Sequence, residues 1–341
     1  MKKYLNVIIC FVIISLNKNV FSQHSDLSGV IDTKVCQSGI REDNTNYIYC
    51  ARQSLQKIPM LSINNNNGAA VSNIVYDELV LSDNLIERID FNSFGSNFKV
   101  RKLYLDNNPL RFIHKSSFEH VRNYLEELYL EQKQIKATTI ADSDEVYDEG
   151  SELRNGYILD ENDSNLFEAA VFQKCFNLHL LSLKSYRIPH LKANMFLKMT
   201  KLDTLILASN RLRQIDEAAF AGLEHSLTYL NLDSNHLEWV PSKPLERMKK
   251  LKRLSLSQNR IKTLHANAFF YLNSLNTLDL SYNYLSRFDE NAFSGSVQNS
   301  LRSLQLQNNE LKWPHYIYIL YNLHLLQDLN LDFNKLGQKV L

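Results

Sequence analysis

The sequence predicts an α/β solenoid: short strands stacked into one parallel sheet on a concave face, with returning segments behind it. Two observations carry that prediction. An LxxLxLxxNxL frame places an asparagine at positions 84, 108, 210, 235, 259, 283, 309 and 334, a spacing of 24 to 26 residues for most steps. A phenylalanine stands ten residues after most of these asparagines, as Phe220, Phe269 and Phe293 do after Asn210, Asn259 and Asn283.

A period of this length with these residue types is the signature of a leucine-rich repeat horseshoe. The LxxLxL stretch predicts a strand whose leucines point inward. One coil cannot bury that apolar edge, but stacked neighbours can. The chain turns sharply after each strand and leaves backbone N–H and C=O groups inside. An asparagine side chain offers both a donor and an acceptor to satisfy them. The phenylalanine belongs to the returning segment and fills the interior, where its burial contributes roughly 1.5–3 kcal/mol.

From the N-terminus, residues 1–22 read as a secretory signal. Lys2 and Lys3 precede an apolar run from Leu5 to Leu16 that is too short to span a bilayer, and cleavage is expected after Ser22. Residues 23–35 form a linker. The whole chain of 341 residues carries a formal charge of +1, and the signal takes three lysines with it, leaving about −2. Near-neutral charge argues against nucleic acid or anionic membrane as the main partner.

Residues 36–60 read as an N-terminal cap. A solenoid exposes its core at both ends, and a Cys36–Cys50 disulfide would staple this end in an oxidising compartment. Leu55 and Ile58 match repeat slots just after it.

Residues 61–341 are repeats. Between Ile135 and Leu178 the leucine pattern lapses, but the phenylalanine spacing continues. Counting back 24 from Tyr186 puts Asn162 in an asparagine slot, with Tyr157 and Leu159 as strand residues, Phe172 ten residues on and Cys175 in the core. This gives about eleven 24-residue repeats, with an insertion at about 136–153. The last frame, Leu326 to Leu336, stops near Leu341, and no cysteine-rich closing module follows it. An open end of this kind favours a truncated chain or dimerisation through the C-terminal coil.

The segment Cys36 to Pro59 followed by these repeats resembles extracellular leucine-rich repeat proteins with an N-terminal flanking module. Slit-like guidance proteins, connectin- and chaoptin-like adhesion proteins and small leucine-rich proteoglycans are similar. The usual module has four cysteines, whereas this one has two. The resemblance implies a secreted, extracellular protein that recognises other proteins.

Candidate binding residues follow from strand alternation, because the residue between the last two strand leucines faces the concave side. That column reads Val80, Tyr104, Tyr129, Ile158, Ser182, Ile206, Asn231, Ser255, Asp279, Gln305 and Asn330, apolar and aromatic at first and polar later. Contiguous exposed aromatics are what an interface anchor needs. Glu127 and Glu131 lie on the same coils and would steer a basic partner. Tyr147, set among Asp144, Glu145, Asp148 and Glu149, is a candidate for sulfation. Asn162-Asp163-Ser164 is the one N-x-[ST] sequon, and a glycan there excludes the buried slot assigned to Asn162.

The acidic run lacks the residue types of an EF-hand. The ten histidines have no metal spacing, and no phosphate-cradling glycine loop exists among nine glycines. No enzyme, cofactor or metal site is therefore expected. The leading function is a secreted adhesion or ligand-recognition module for a protein ligand or cell-surface receptor. The alternatives are a non-catalytic accessory subunit of a secreted oligomeric enzyme, or a truncated receptor ectodomain.

Overall fold

The computed structural model describes residues 35–59, 74–132, 152–154, 157–159, 171–172, 174–312 and 320–337. The cap contributes β1 (Gln37–Ile40) and β2 (Asn46–Tyr49), which pair antiparallel. The first coils give β3 (Tyr76–Val80), β4 (Arg88–Ile89), β5 (Val100–Tyr104), β6 (Phe112–Ile113) and β7 (Glu127–Tyr129). A hairpin, β8 (Glu152–Arg154) with β9 (Tyr157–Leu159), follows. The remaining coils give β10 (Leu180–Ser182), β11 (His190–Leu191), β12 (Thr204–Ile206), β13 (Gln214–Ile215), β14 (Tyr229–Asn231) and β15 (Arg253–Ser255). The last are β16 (Thr263–Leu264), β17 (Thr277–Asp279), β18 (Arg287–Phe288), β19 (Ser303–Gln305) and β20 (Asp328–Asn330).

One sheet of twelve strands runs through the molecule in the order β1-β2-β3-β5-β7-β10-β12-β14-β15-β17-β19-β20. From β2 onward every pairing is parallel, and the registers align the same repeat slot in each coil, as Leu205, Leu230 and Leu254 do. The two-residue strands pair separately on the returning side, β4 with β6, β11 with β13 and β16 with β18.

The asparagines form the expected ladder. Asn259 Nδ2 donates to the carbonyls of Leu232 (2.9 Å), Leu256 (3.1 Å) and Ser257 (3.2 Å), and its Oδ1 accepts the Leu237 N–H at 3.1 Å. Asn84, Asn108, Asn210, Asn235, Asn283 and Asn309 are buried in the same role. The residue before each ladder asparagine, from Asp83 to Phe333, holds a left-handed turn with φ between 54° and 58°. The phenylalanines pack behind, with Phe269 and Phe293 stacked at 5.6 Å. Gly222 is required where two coils meet: it takes φ 94°, and a Cβ there would lie 2.3 Å from the Leu197 carbonyl oxygen.

The cap forms as expected, with a Cys36–Cys50 disulfide and both cysteines buried. The first-coil backbone continues from it, since Asn84 Nδ2 donates to the Cys50 carbonyl at 2.8 Å.

The eleventh coil is not there. Glu127, Leu128 and Tyr129 of β7 pair directly with Leu180, Leu181 and Ser182 of β10. β9, which was expected to stand between them, instead pairs antiparallel with β8 outside the main sheet. Among the described residues, ten parallel repeat strands therefore enclose nine turns rather than eleven coils. Phe172 and Cys175 are fully buried, as the phenylalanine spacing predicted, but they close the coil that Leu125 opens rather than a coil of their own. Residues 1–34, Tyr147 and Asn162 lie outside the described residues.

Candidate functional site

The concave surface carries two columns of side chains, one on each side of the central strand leucine. Parallel register places Val80, Tyr104, Tyr129, Ser182 and Ile206 side by side on consecutive strands. The second column reads Glu78, Lys102, Glu127, Leu180 and Thr204 over the same strands. Ile158 is not part of either column, because β9 stands in the hairpin with β8.

Tyr104 and Tyr129 lie face to face, with ring centroids 4.6 Å apart and planes 9° from parallel. The Tyr129 hydroxyl donates to Glu127 Oε2 at 2.8 Å, and Glu127 Oε1 takes the Lys102 ammonium at 3.0 Å. Lys102 stands between two carboxylates in its column, and Glu78 pairs with Arg41 of the cap at 2.6 Å. Desolvation raises the Tyr129 phenol above its usual pKa, and the bond to Glu127 adds to it. Desolvation also raises Tyr104, with the Glu78 charge second. Both rings are thus neutral, half-buried and held in place by their neighbours.

Glu131 is also engaged within the protein. Ser182, which is fully buried rather than exposed, donates to Glu131 Oε1 at 2.8 Å, and Lys184 lies 4.0 Å from Oε2. Glu127 and Glu131 are thus both partnered within the protein, which offsets part of the charge expected to steer a basic partner.

Single-column reading of the sequence missed Lys102 and Asp106. Lys102 was legible from alternation, since residues two apart on a strand share a face. Asp106 sits in the turn after β5, where its Oδ1 accepts the Glu131 N–H at 2.8 Å. Burial pushes its carboxyl up to about 6. Farther along, Arg253 lies over the Tyr229 ring at 4.6 Å, and Asp233 accepts bonds from Ser255 Oγ (2.5 Å) and the Ser257 N–H (2.8 Å). The later concave surface is thus a polar network.

Cys175 is fully buried, and desolvation pushes its thiol up to about 12, so it is a core residue rather than a nucleophile. Among the described residues no group of His, Cys, Asp and Glu is placed to hold a metal. No helix among them is long and apolar enough to cross a membrane.

The family profile for leucine rich repeats matches residues 176–237, 225–285 and 249–311. Tsukushi-A of Xenopus laevis is 34% identical over 113 residues, covering 32% of this chain and 32% of that protein. Osteomodulin of Bos taurus is 25% identical over 298 residues, covering 85% of this chain and 63% of that protein. The aligned stretches therefore span less than two thirds of either relative. Among solved structures, a chain in the octameric complex of Latrophilin 3, Unc5D and FLRT2 (LRR) is similar. It has a TM-score of 0.63 and 18% identity, and the match covers 89% of this chain and 85% of that one. At that identity the likeness speaks for the fold alone.

Proposed function

We propose, on the premise that the chain is a leucine-rich repeat protein related to extracellular matrix proteoglycans and repeat receptors, that it is a secreted recognition module. It engages a protein ligand or cell-surface receptor through the concave face of its N-terminal coils. The observation that carries this reading is the stacked Tyr104–Tyr129 pair, rigid and half-exposed on adjacent strands. Aromatic anchors of this kind dominate interface energetics, and a pre-ordered pair costs little entropy on binding. Val80 and Ile206 extend the apolar surface on either side, while the Lys102–Glu127 pair forms a polar rim. The local neutralisation of Glu127 and Glu131 makes shape and apolar contact, rather than charge, the main source of affinity.

Glycan masking tests the reading. Lys102→Asn with Tyr104→Thr plants an N-glycosylation sequon in the middle of the tyrosine platform. Ser303→Asn with Gln305→Thr plants one at the equivalent slots of β19. The full chain is displayed against an array of secreted and cell-surface ectodomains. The first glycan should abolish a capture that the second leaves intact. The opposite pattern moves the site to the C-terminal coils, and loss with neither glycan removes the concave face from the account.

A further inference from the structure

A second surface lies on the flank of the coils opened by Leu202, Leu227 and Leu251, off the concave face. Arg211, His236 and Arg260 each take the first position after a ladder asparagine. The ladder fixes their spacing: Leu212 N–H donates to Asn235 Oδ1 at 3.0 Å, and Leu237 N–H to Asn259 Oδ1 at 3.1 Å. His236 N–H reaches the Leu212 carbonyl at 3.0 Å, and Arg260 N–H reaches that of Leu237 at 2.9 Å. Three basic side chains therefore stand on three successive coils. Arg213 and Lys262 hold the third position on the outer two coils, and Arg213, Arg260 and Lys262 are exposed. Among the described residues no carboxylate pairs with Arg213, Arg260 or Lys262.

His236 is the centre of the cluster. Its ring is half-buried, and its Nδ1 is buried without a hydrogen-bond partner. Burial, and then the charges of Arg260, Arg213 and Arg211, hold its pKa below the usual histidine range. Guanidinium groups thus surround it from the coils on both sides. Trp239 stands three residues on, 55% exposed. Glu238, the acid at the third position of the middle coil, sits between Arg213 and Lys262.

We propose that this flank binds a sulfated polysaccharide chain laid across the three coils. Guanidinium forks match tetrahedral oxyanions in bidentate geometry and hold them better than ammonium groups do. With coils about 4.8 Å apart, the cations of the two outer coils stand about 10 Å from one another across the middle one, a line of positive charge that a linear polyanion can follow. The exposed indole of Trp239 offers an apolar face to the C–H side of a pyranose ring. A nucleic-acid strand fits less well. Single strands bind by stacking successive bases on aromatics, whereas Trp239 stands between Gln214 and Thr263 at the same position of the adjoining coils. The site is separate from the concave face and independent of any protein ligand bound there.

The test uses the purified full chain and a heparin-derived octasaccharide, with calorimetry and with salt elution from heparin and sulfopropyl resins. The wild type should bind the octasaccharide and leave heparin at higher salt than it leaves the sulfopropyl resin. Arg213→Ser with Arg260→Ser should weaken binding about tenfold or more at an unchanged melting temperature. Arg213→Lys with Arg260→Lys should restore part of the loss, because charge returns without the fork. Glu238→Gln should tighten binding. Arg302→Ser, on another coil, should change nothing. Equal elution from both resins, an unaffected serine double variant, or tighter binding to a short single-stranded RNA than to the octasaccharide would overturn the proposal.

Discussion

Glu127 holds Tyr129 by accepting its hydroxyl at 2.8 Å, and so keeps that ring flat against Tyr104. Removing the carboxylate therefore loosens a side chain two residues away on the same strand. Any function of the tyrosine platform depends on a residue that need not touch the partner itself.

The asparagine ladder sets the coil spacing on which both proposed surfaces rest. Asn259→Ala leaves the Leu237 N–H inside the protein without its acceptor and takes one of two donors from each of the Leu232, Leu256 and Ser257 carbonyls, which keep Asn235 Nδ2, Asn283 Nδ2 and the Ser234 N–H. A loss of stability of about 1–3 kcal/mol is expected from denaturant unfolding. Asn259→Asp should cost at least as much, because a carboxylate can accept the Leu237 N–H but cannot donate to the Leu232, Leu256 and Ser257 carbonyls.

Phe172 reports how the coil opened by Leu125 is closed. It is fully buried although the inserted segment lies between it and β7. Phe172→Ala should cost about 3–5 kcal/mol, the range for a core aromatic. A cost below about 0.5 kcal/mol, typical of a surface position, would place it outside the core.

Asp106 makes stability depend on pH. Burial raises its carboxyl from 3.8 to about 6, against the opposing bond from the Glu131 N–H. Between these values the folded protein holds a proton that the unfolded chain releases. Its contribution to stability therefore falls as pH rises from about 4 to 6, and the penalty is complete above that window. Asp106→Asn keeps an acceptor for the Glu131 N–H without the charge. Urea titrations should find the variant gaining on the wild type as pH is taken from 4 to 7, with no further change above it.

The fold was legible because its two chemical markers are nearly unambiguous. A buried asparagine that must both donate and accept has few substitutes, and a phenylalanine on the returning side fixes the interior volume. The same ruler located Phe172 and Cys175 in the core. It failed at Tyr157 and Leu159, because strand propensity and spacing are the same for a strand in the main sheet and for one in a hairpin. Only the pairing of β7 with β10 separates the two cases. At the concave site, Tyr104, Tyr129, Val80 and Ile206 followed from alternation. The bond from Ser182 to Glu131 and the high pKa of Asp106 did not, since each depends on distances across coils rather than on residue type.

The measurement that bears most directly on the recognition reading is a binding titration of an array-captured ectodomain against Tyr104→Ala with Tyr129→Ala. The concave C-terminal variant Thr277→Ala with Ser303→Ala serves as the comparison. The tyrosine variant should stay folded by circular dichroism and lose about 30-fold or more in affinity, the scale of a hot-spot pair at 2 kcal/mol. The comparison variant should stay close to wild type. An affinity unchanged by loss of both tyrosines, in a protein that remains folded, would contradict the assignment.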